Sequence, residues 1–331
     1  MSHLNYTPKR RTMSMAELNH AKTLNNKLEM HLRSIAALTG DQRLLSQAER
    51  VHYCSTYWQG FWCPSCGKYH DMHTTGCKHR LCPICATRAS RVTAMQAMEA
   101  IQLIKRETPE VQLSLLTLTQ QNVQGEELAN EISRMLDGWW KLGNSKTFRK
   151  RVYGWARTIE IVPALANDGT YHPHIHAILL HFGDIPDISW FISHWRSSMA
   201  LNYQPICDIR PVMDVQGSVF EVSKYVSKLT RVYDNSEREQ EHVMYMNQAM
   251  YNRRLRSYGG AWRKARTKLG QMQVEDMSDD AISEYGDVTD LSGRCPDCGS
   301  GTVAATLRWA GLRYVVEPED QRVLPFSALL T

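Results

Sequence analysis

Tyr171-His-Pro-His-Ile-His-Ala177 lies between a turn signal, Asn167-Asp168-Gly169, and an apolar run ending at Phe182. Side chains alternate along a strand, so His174 and His176 share one face, and His172 has the same parity. The turn signal joins this strand, 172–182, to an earlier one at 152–162 that carries Glu160. If the hairpin folds about Asn167 or Asp168, Glu160 faces His174 or His176 with matching parity. Two imidazoles and a carboxylate can then meet at one metal ion. His172, at the start of the strand, is assigned to DNA contact.

The regular pattern continues on both sides of the hairpin. Residues 111–119 are rich in Leu, Val and Thr and form a strand. A helix over 126–140 places Leu128, Ile132, Met135, Leu136 and Trp139 on one face. Asp187 caps a helix that runs to Met199 with Ile188, Phe191, Ile192 and Trp195 at helical spacing. A fourth strand spans 206–212, and a helix from Gly217 to Leu229 closes the unit. The order β-α-β-β-α-β-α predicts an α+β fold: a split βαβ (ferredoxin/RRM-like) antiparallel sheet with helices packed on one face.

That unit is assigned to residues 91–235 of the 331-residue chain. A basic start and a helix over 15–39 make up 1–50. A Cys-rich metal module spans 51–90, and a helix follows it over 88–105. Between Tyr251 and Lys268 stand seven basic residues and no acidic one, with Tyr251, Tyr258 and Trp262 among them. Cations that meet phosphates and rings that stack on bases suit nucleic acid. Residues 236–270 are therefore assigned as a helical DNA-binding segment with Arg253, Arg254, Arg256, Arg263 and Lys264. Lys146, Arg149, Lys150 and Arg151 form a second basic cluster. Residues 271–290 form an acidic linker and 291–331 a C-terminal zinc-knuckle segment. The net charge of +5 decides little by itself. Neither a signal peptide nor an apolar run of about 18 residues is found, so a cytoplasmic location away from membranes is expected.

Thiols stay reduced in that compartment, and paired cysteines act first as metal ligands. Cys63-Pro-Ser-Cys66 and Cys82-Pro-Ile-Cys85 are fifteen residues apart, a spacing that fits one structural Zn²⁺. Cys54, Cys77, His70 and His73 are alternatives nearby. Cys295 and Cys298 join an upstream ligand or hold a second ion. Cys207, in a predicted strand, is assigned to packing.

The last helix of the unit carries Val219, Val222, Val226 and Leu229 on one stripe and Glu221, Tyr225 and Lys228 on the next. A tyrosine with a pKa near ~10 needs help as a nucleophile. A divalent ion on the hairpin polarises a phosphate, and Lys224 or Lys228 holds it or eases formation of the phenolate. Together the two sets point to DNA strand transfer through a 5′-phosphotyrosine.

The segments Cys77-Lys-His-Arg-Leu-Cys-Pro-Ile-Cys85, Leu115-Leu-Thr-Leu-Thr119, Tyr171-His-Pro-His-Ile-His-Ala177 and Glu221-Val-Ser-Lys-Tyr-Val-Ser-Lys228 resemble those of rolling-circle plasmid replication initiators (Rep proteins). These are HUH endonucleases, here of the branch with a single catalytic tyrosine and a nearby Glu. The resemblance spans roughly residues 54–230. It implies origin-specific nicking, Mg²⁺ or Mn²⁺ dependence, Tyr225 as nucleophile, His174 and His176 as ligands, and Glu221 as the carboxylate of the second cleavage. Glu160 as third ligand comes from the hairpin geometry alone. The partners implied are plasmid origin DNA and, because the chain has no P-loop, a host helicase with the replication machinery. Competing functions are an HUH transposase or mobilisation relaxase, separated by DNA context, and a non-catalytic zinc-containing DNA-binding regulator, separated by a Tyr225→Phe variant.

Overall fold

The computed structural model describes residues 14–164, 168–184, 187–223, 229–233, 236–270 and 294–317. The N-terminal part contains α1 (Met15–Thr39), α2 (Gln42–Tyr53), β1 (Tyr57–Trp62), β2 (Tyr69–His73) and α3 (Pro83–Glu107). Helix α1 has the predicted bounds, and Ser14 and Glu17 cap each other's backbone amides at its start. Helix α3 begins five residues before the expected Arg88, because Pro83 is pre-set for a first helical turn and Cys82 serves as N-cap.

The middle of the chain contains β3 (Gln112–Thr119), β4 (Val123–Gln124), α4 (Gly125–Asn144), α5 (Lys146–Arg151), β5 (Gly154–Pro163), β6 (Thr170–His181), α6 (Ile188–Ser198), β7 (Cys207–Pro211) and α7 (Val215–Ser223). Asp187 caps α6 as expected, accepting from the Ser189 amide at 2.9 Å. The remainder comprises α8 (Leu229–Val232), α9 (Glu239–Met250), β8 (Arg256–Gly259), α10 (Gly260–Lys268), β9 (Val303–Trp309) and β10 (Tyr314–Val316).

The central sheet has the order β7-β3-β6-β5-β8, with β4 added to β6, and its pairs are antiparallel. With β4 and β8 set aside, this is the split βαβ arrangement: β3 and β6 in the middle, β7 and β5 outside. Alternation sends Leu116, Leu118, Ile159, Ile161, Ile175, Ala177 and Leu179 to one face, against α4 and α6. Trp139 and Trp155 meet edge to face there, with ring centroids 5.1 Å apart.

The expectation of helices on one face only is corrected. On the other face Leu113, Leu115, Ala156, Ile178 and Leu180 pack with α3, α7 and α10 through Ala94, Ile101, Val219, Val222 and Trp262. These apolar residues lie at one end of the β5–β6 ladder, and the polar residues Thr158, Glu160, His174 and His176 follow toward the other end. Residues 236–270 are likewise not a separate helical unit, because β8 pairs with β5 in the central sheet.

A second sheet has the order β10-β9-β1-β2. It joins the Cys-rich module to the C-terminal segment, because β1 pairs with β9. The acidic stretch 271–290 lies outside the described residues. Among the described residues no helix is long and apolar enough to cross a membrane.

The join of β8 to α10 depends on a close backbone approach. Gly260 has φ +57°, and a Cβ there would lie 2.3 Å from the Tyr153 carbonyl oxygen and 2.8 Å from Gly154 Cα. Gly260→Ala should therefore cost about 2–4 kcal/mol from left-handed strain and overlap. That loss lowers Tm by about 2–4 °C per kcal/mol, measured by thermal denaturation. An unchanged Tm would contradict this packing.

Candidate metal and strand-transfer site

Glu160 on β5 pairs directly with His174 on β6, and Thr158 pairs with His176. Glu160 Oε2 lies 3.0 Å from His174 Nε2 and 3.3 Å from His176 Nε2. The hairpin thus brings Glu160 to both imidazoles. These separations match ligands on neighbouring positions of one ion with bonds near ~2.1 Å, which lie roughly 3.0–3.4 Å apart.

The ring nitrogens facing away hold the imidazoles in place. His174 Nδ1 meets the His172 carbonyl at 3.3 Å. A carbonyl only accepts, so Nδ1 donates there, and Nε2 is the nitrogen turned toward Glu160. His176 Nδ1 meets Thr117 Oγ1 at 3.2 Å, a contact that orients its ring. Two imidazole nitrogens and a carboxylate brought together in this way suit a cation. Burial would raise the Glu160 carboxyl, but hydrogen bonds and charge from His174 and His176 outweigh it and hold the group well below the usual carboxylate range. His172 stacks obliquely on His174, with centroids 5.2 Å apart, but its Nδ1 meets Asn122 Oδ1 and it stays outside the three-residue group.

The same face holds the end of α7. Thr158 Oγ1 donates to the Val222 carbonyl at 2.7 Å, and Arg256 Nη2 donates to the Ser223 carbonyl at 3.0 Å. Both bonds fasten the backbone of α7 to the sheet. Arg256 also donates to Thr93 Oγ1 on α3 at 3.1 Å and is buried. Its assignment to DNA contact is corrected: it fastens α7 to the sheet. Val219 and Val222 are buried as their stripe predicted. Glu221 lies in α7, whereas Lys224, Tyr225, Val226 and Lys228 lie outside the described residues.

Of the other basic residues, Lys146, Arg149, Lys150, Arg151, Arg254, Arg263 and Lys264 are exposed. Arg151 lies over the Trp190 ring, 5.4 Å from its centroid. Arg253 is half-buried and donates to Ser133 Oγ and to the Gln248 carbonyl, so it acts mainly as a structural tie. The composition of the basic run concealed this division. Trp140 is exposed on α4, off the helix's buried stripe.

The cysteines regroup. Cys63 and Cys66 stand with Cys295 and Cys298, while Cys82 and Cys85 stand with Cys54 and Cys77. The expected single site of Cys63, Cys66, Cys82 and Cys85 is overturned, because β1 and β2 direct the first pair toward the C-terminal segment. The alternatives Cys54 and Cys77 belong to the second group, and neither His70 nor His73 completes one. Cys207 packs against the core at the start of β7.

Mn²⁺ titrated into chelator-treated protein and followed by EPR should bind at the hairpin. His176→Ala should weaken that binding by at least ~10-fold, and Thr117→Val, which removes the Thr117 Oγ1 contact to the ring, by roughly 10-fold. Parental binding in both variants would move the ion elsewhere.

The model of the Replication protein family matches residues 69–297. A protein rep from a Bacillus species is 31% identical over 273 residues, covering 74% of this chain and 88% of the relative. One from Bacillus amyloliquefaciens is 31% identical over 277 residues, covering 76% and 81%. A protein rep from Streptococcus pneumoniae is 28% identical over 214 residues, covering 60% and 65%. No solved structure matches the chain. The family match takes in the whole central sheet, from β3 through the Glu160–His174–His176 hairpin to β8, and the chain belongs to the Replication protein family.

Proposed function

We propose that this chain initiates rolling-circle replication of a plasmid by nicking one strand of origin DNA in the cytoplasm. One observation carries the proposal. Glu160 lies within 3.3 Å of both His174 and His176 on the sheet face to which the last carbonyls of α7 are tied. The next residues after Ser223 are Lys224 and Tyr225. The relatives named protein rep support the replication role.

Tyr225 Oη attacks the scissile phosphorus, and the bond from phosphorus to the 3′ oxygen breaks. The DNA keeps a free 3′-OH, and a 5′-phosphotyrosine remains on the protein. The phenol proton passes to solvent, and the departing 3′ oxygen takes one up. Glu160, His174 and His176 would hold Mg²⁺ or Mn²⁺, which supplies Lewis-acid polarisation of the phosphate. Lys224 and Lys228 hold the phosphate or ease loss of the phenol proton. Exposed Lys146, Arg149, Lys150, Arg151, Arg254, Arg263 and Lys264 track the backbone, and His172 touches the strand near the site. Host helicase and replication proteins extend from the 3′-OH.

Tyr225 is the single tyrosine between Gly217 and Leu229. At termination it is already covalently occupied, so a second nucleophile is needed. Glu221, one turn earlier, serves as general base on water.

The test is single-stranded origin DNA with Mn²⁺ and the full chain, resolved on denaturing gels. Parent protein should give a covalent adduct, and Tyr225→Phe should reduce it to background while DNA binding persists. Glu221→Gln should keep the first nick and adduct but accumulate unresolved multimeric strands. An adduct mapped to another tyrosine, or one formed fully in excess chelator, would refute the mechanism.

A further inference from the structure

The two cysteine groups are built differently. Cys63-Pro-Ser-Cys66-Gly67 and Cys295-Pro-Asp-Cys298-Gly299 fold into matching turns. In the first, the Gly67 amide donates to the Cys63 carbonyl at 2.8 Å and the Cys63 amide to the Lys68 carbonyl at 2.9 Å. In the second, the Gly299 amide donates to the Cys295 carbonyl at 2.8 Å and the Cys295 amide to the Ser300 carbonyl at 2.7 Å. Gly67 and Gly299 take φ of 67° and 72°, the left-handed turn that glycine allows without penalty.

The first turn joins β1 to β2, and the second leads toward β9, which pairs with β1 along six residues from Tyr57↔Arg308 to Trp62↔Val303. Lys68 and Asp297 bridge the turns at 2.7 Å. Cys63 Sγ lies 3.5 Å from Cys298 Sγ, and Cys66 Sγ 3.6 Å from Cys295 Sγ. A disulfide would need about 2.05 Å. The edge of a tetrahedron with Zn–S bonds of ~2.3 Å is about 3.8 Å.

The second group has the same spacing in another setting. Cys54 Sγ lies 3.7 Å from Cys82 and Cys85 Sγ, and Cys77 Sγ lies 3.7 Å from Cys85 Sγ. Cys82 caps α3, so the positive end of a 25-residue helix faces these thiols. Cys54, Cys77 and Cys82 are buried, whereas Cys298 of the first group is exposed.

We propose that the chain holds two Zn²⁺ ions of unequal lability. One is a permanent ion at Cys54, Cys77, Cys82 and Cys85, inside the core of the N-terminal module. The other is a removable clip at Cys63, Cys66, Cys295 and Cys298 that closes a ribbon from two segments distant along the chain. As each ion enters, the four thiols release their protons to solvent. The clip governs whether β9 and β10 stay on β1. Neither ion touches the hairpin of Glu160, so this proposal stands apart from the nicking mechanism.

The test uses the full chain purified without chelator. Elemental analysis should give roughly two equivalents of zinc. EDTA should release them in two phases, the faster one absent from Cys298→Ser. Cys298→Ser should retain one equivalent, expose residues 294–317 to limited proteolysis, and bind Mn²⁺ like the parent. Cys85→Ser should lose the slow phase and part of the helical CD signal. One equivalent in the parent, two in Cys298→Ser, release in a single phase, or an intact mass showing paired thiols would each overturn the proposal.

Discussion

Glu160 opposite His174 is a statement about register, and register is the constraint on which the rest of the site depends. Side chains in a strand alternate, so a slip of one residue between β5 and β6 would send one set of ligands to the other face. That face holds Ile159, Ile161, Ile175 and Ala177 under α4 and α6. A slip would bury imidazoles among apolar side chains and turn isoleucines toward the polar row. Each buried polar group without a partner costs about 1–3 kcal/mol. The apolar core on one face therefore enforces the polar constellation on the other.

The register also links strands that supply no ligand. Asp208, Thr117, His176, Thr158 and Arg256 lie in one row across β7, β3, β6, β5 and β8. Within this row Thr117 orients His176, while Thr158 and Arg256 hold the last carbonyls of α7. One row of side chains thus sets both the orientation of the His176 ring and the point from which the chain continues toward Tyr225. Removing Arg256 would strip a buried tie from α3 and α7 together, a far larger effect than the loss of one exposed phosphate contact.

Much of this was legible because strands and helices write their periods into sequence. The hairpin turn at 167–168 and the parity of Glu160, His174 and His176 were enough to predict their meeting. Arg256 was not legible. It lies in a run of basic residues, and β8 has only four residues, too few for alternation to separate Arg256 from its exposed neighbours. The helices on the second face of the sheet were hidden for a related reason. Residues 88–105 and 236–270 were read by local pattern, and nothing local says which sheet a helix covers.

The cysteine grouping failed for an instructive reason. Pairing Cys63-Cys66 with Cys82-Cys85 rested on proximity along the chain, yet closure entropy grows only with the logarithm of loop length. Each doubling costs about 0.6 kcal/mol, so closing a loop of some 230 residues instead of fifteen adds only about 2–3 kcal/mol. A structural zinc ion is worth about 10–16 kcal/mol at neutral pH, and the pairing of β1 with β9 adds backbone bonds. Sequence distance is thus too weak to decide which thiols meet. Turn chemistry decides instead: a glycine follows Cys66 and Cys298, and Ala86 follows Cys85 at the start of a helix. The knuckle glycine, which permits a left-handed turn behind the second thiol, was the local signal that marked Cys63-Cys66 and Cys295-Cys298 as two halves of one site.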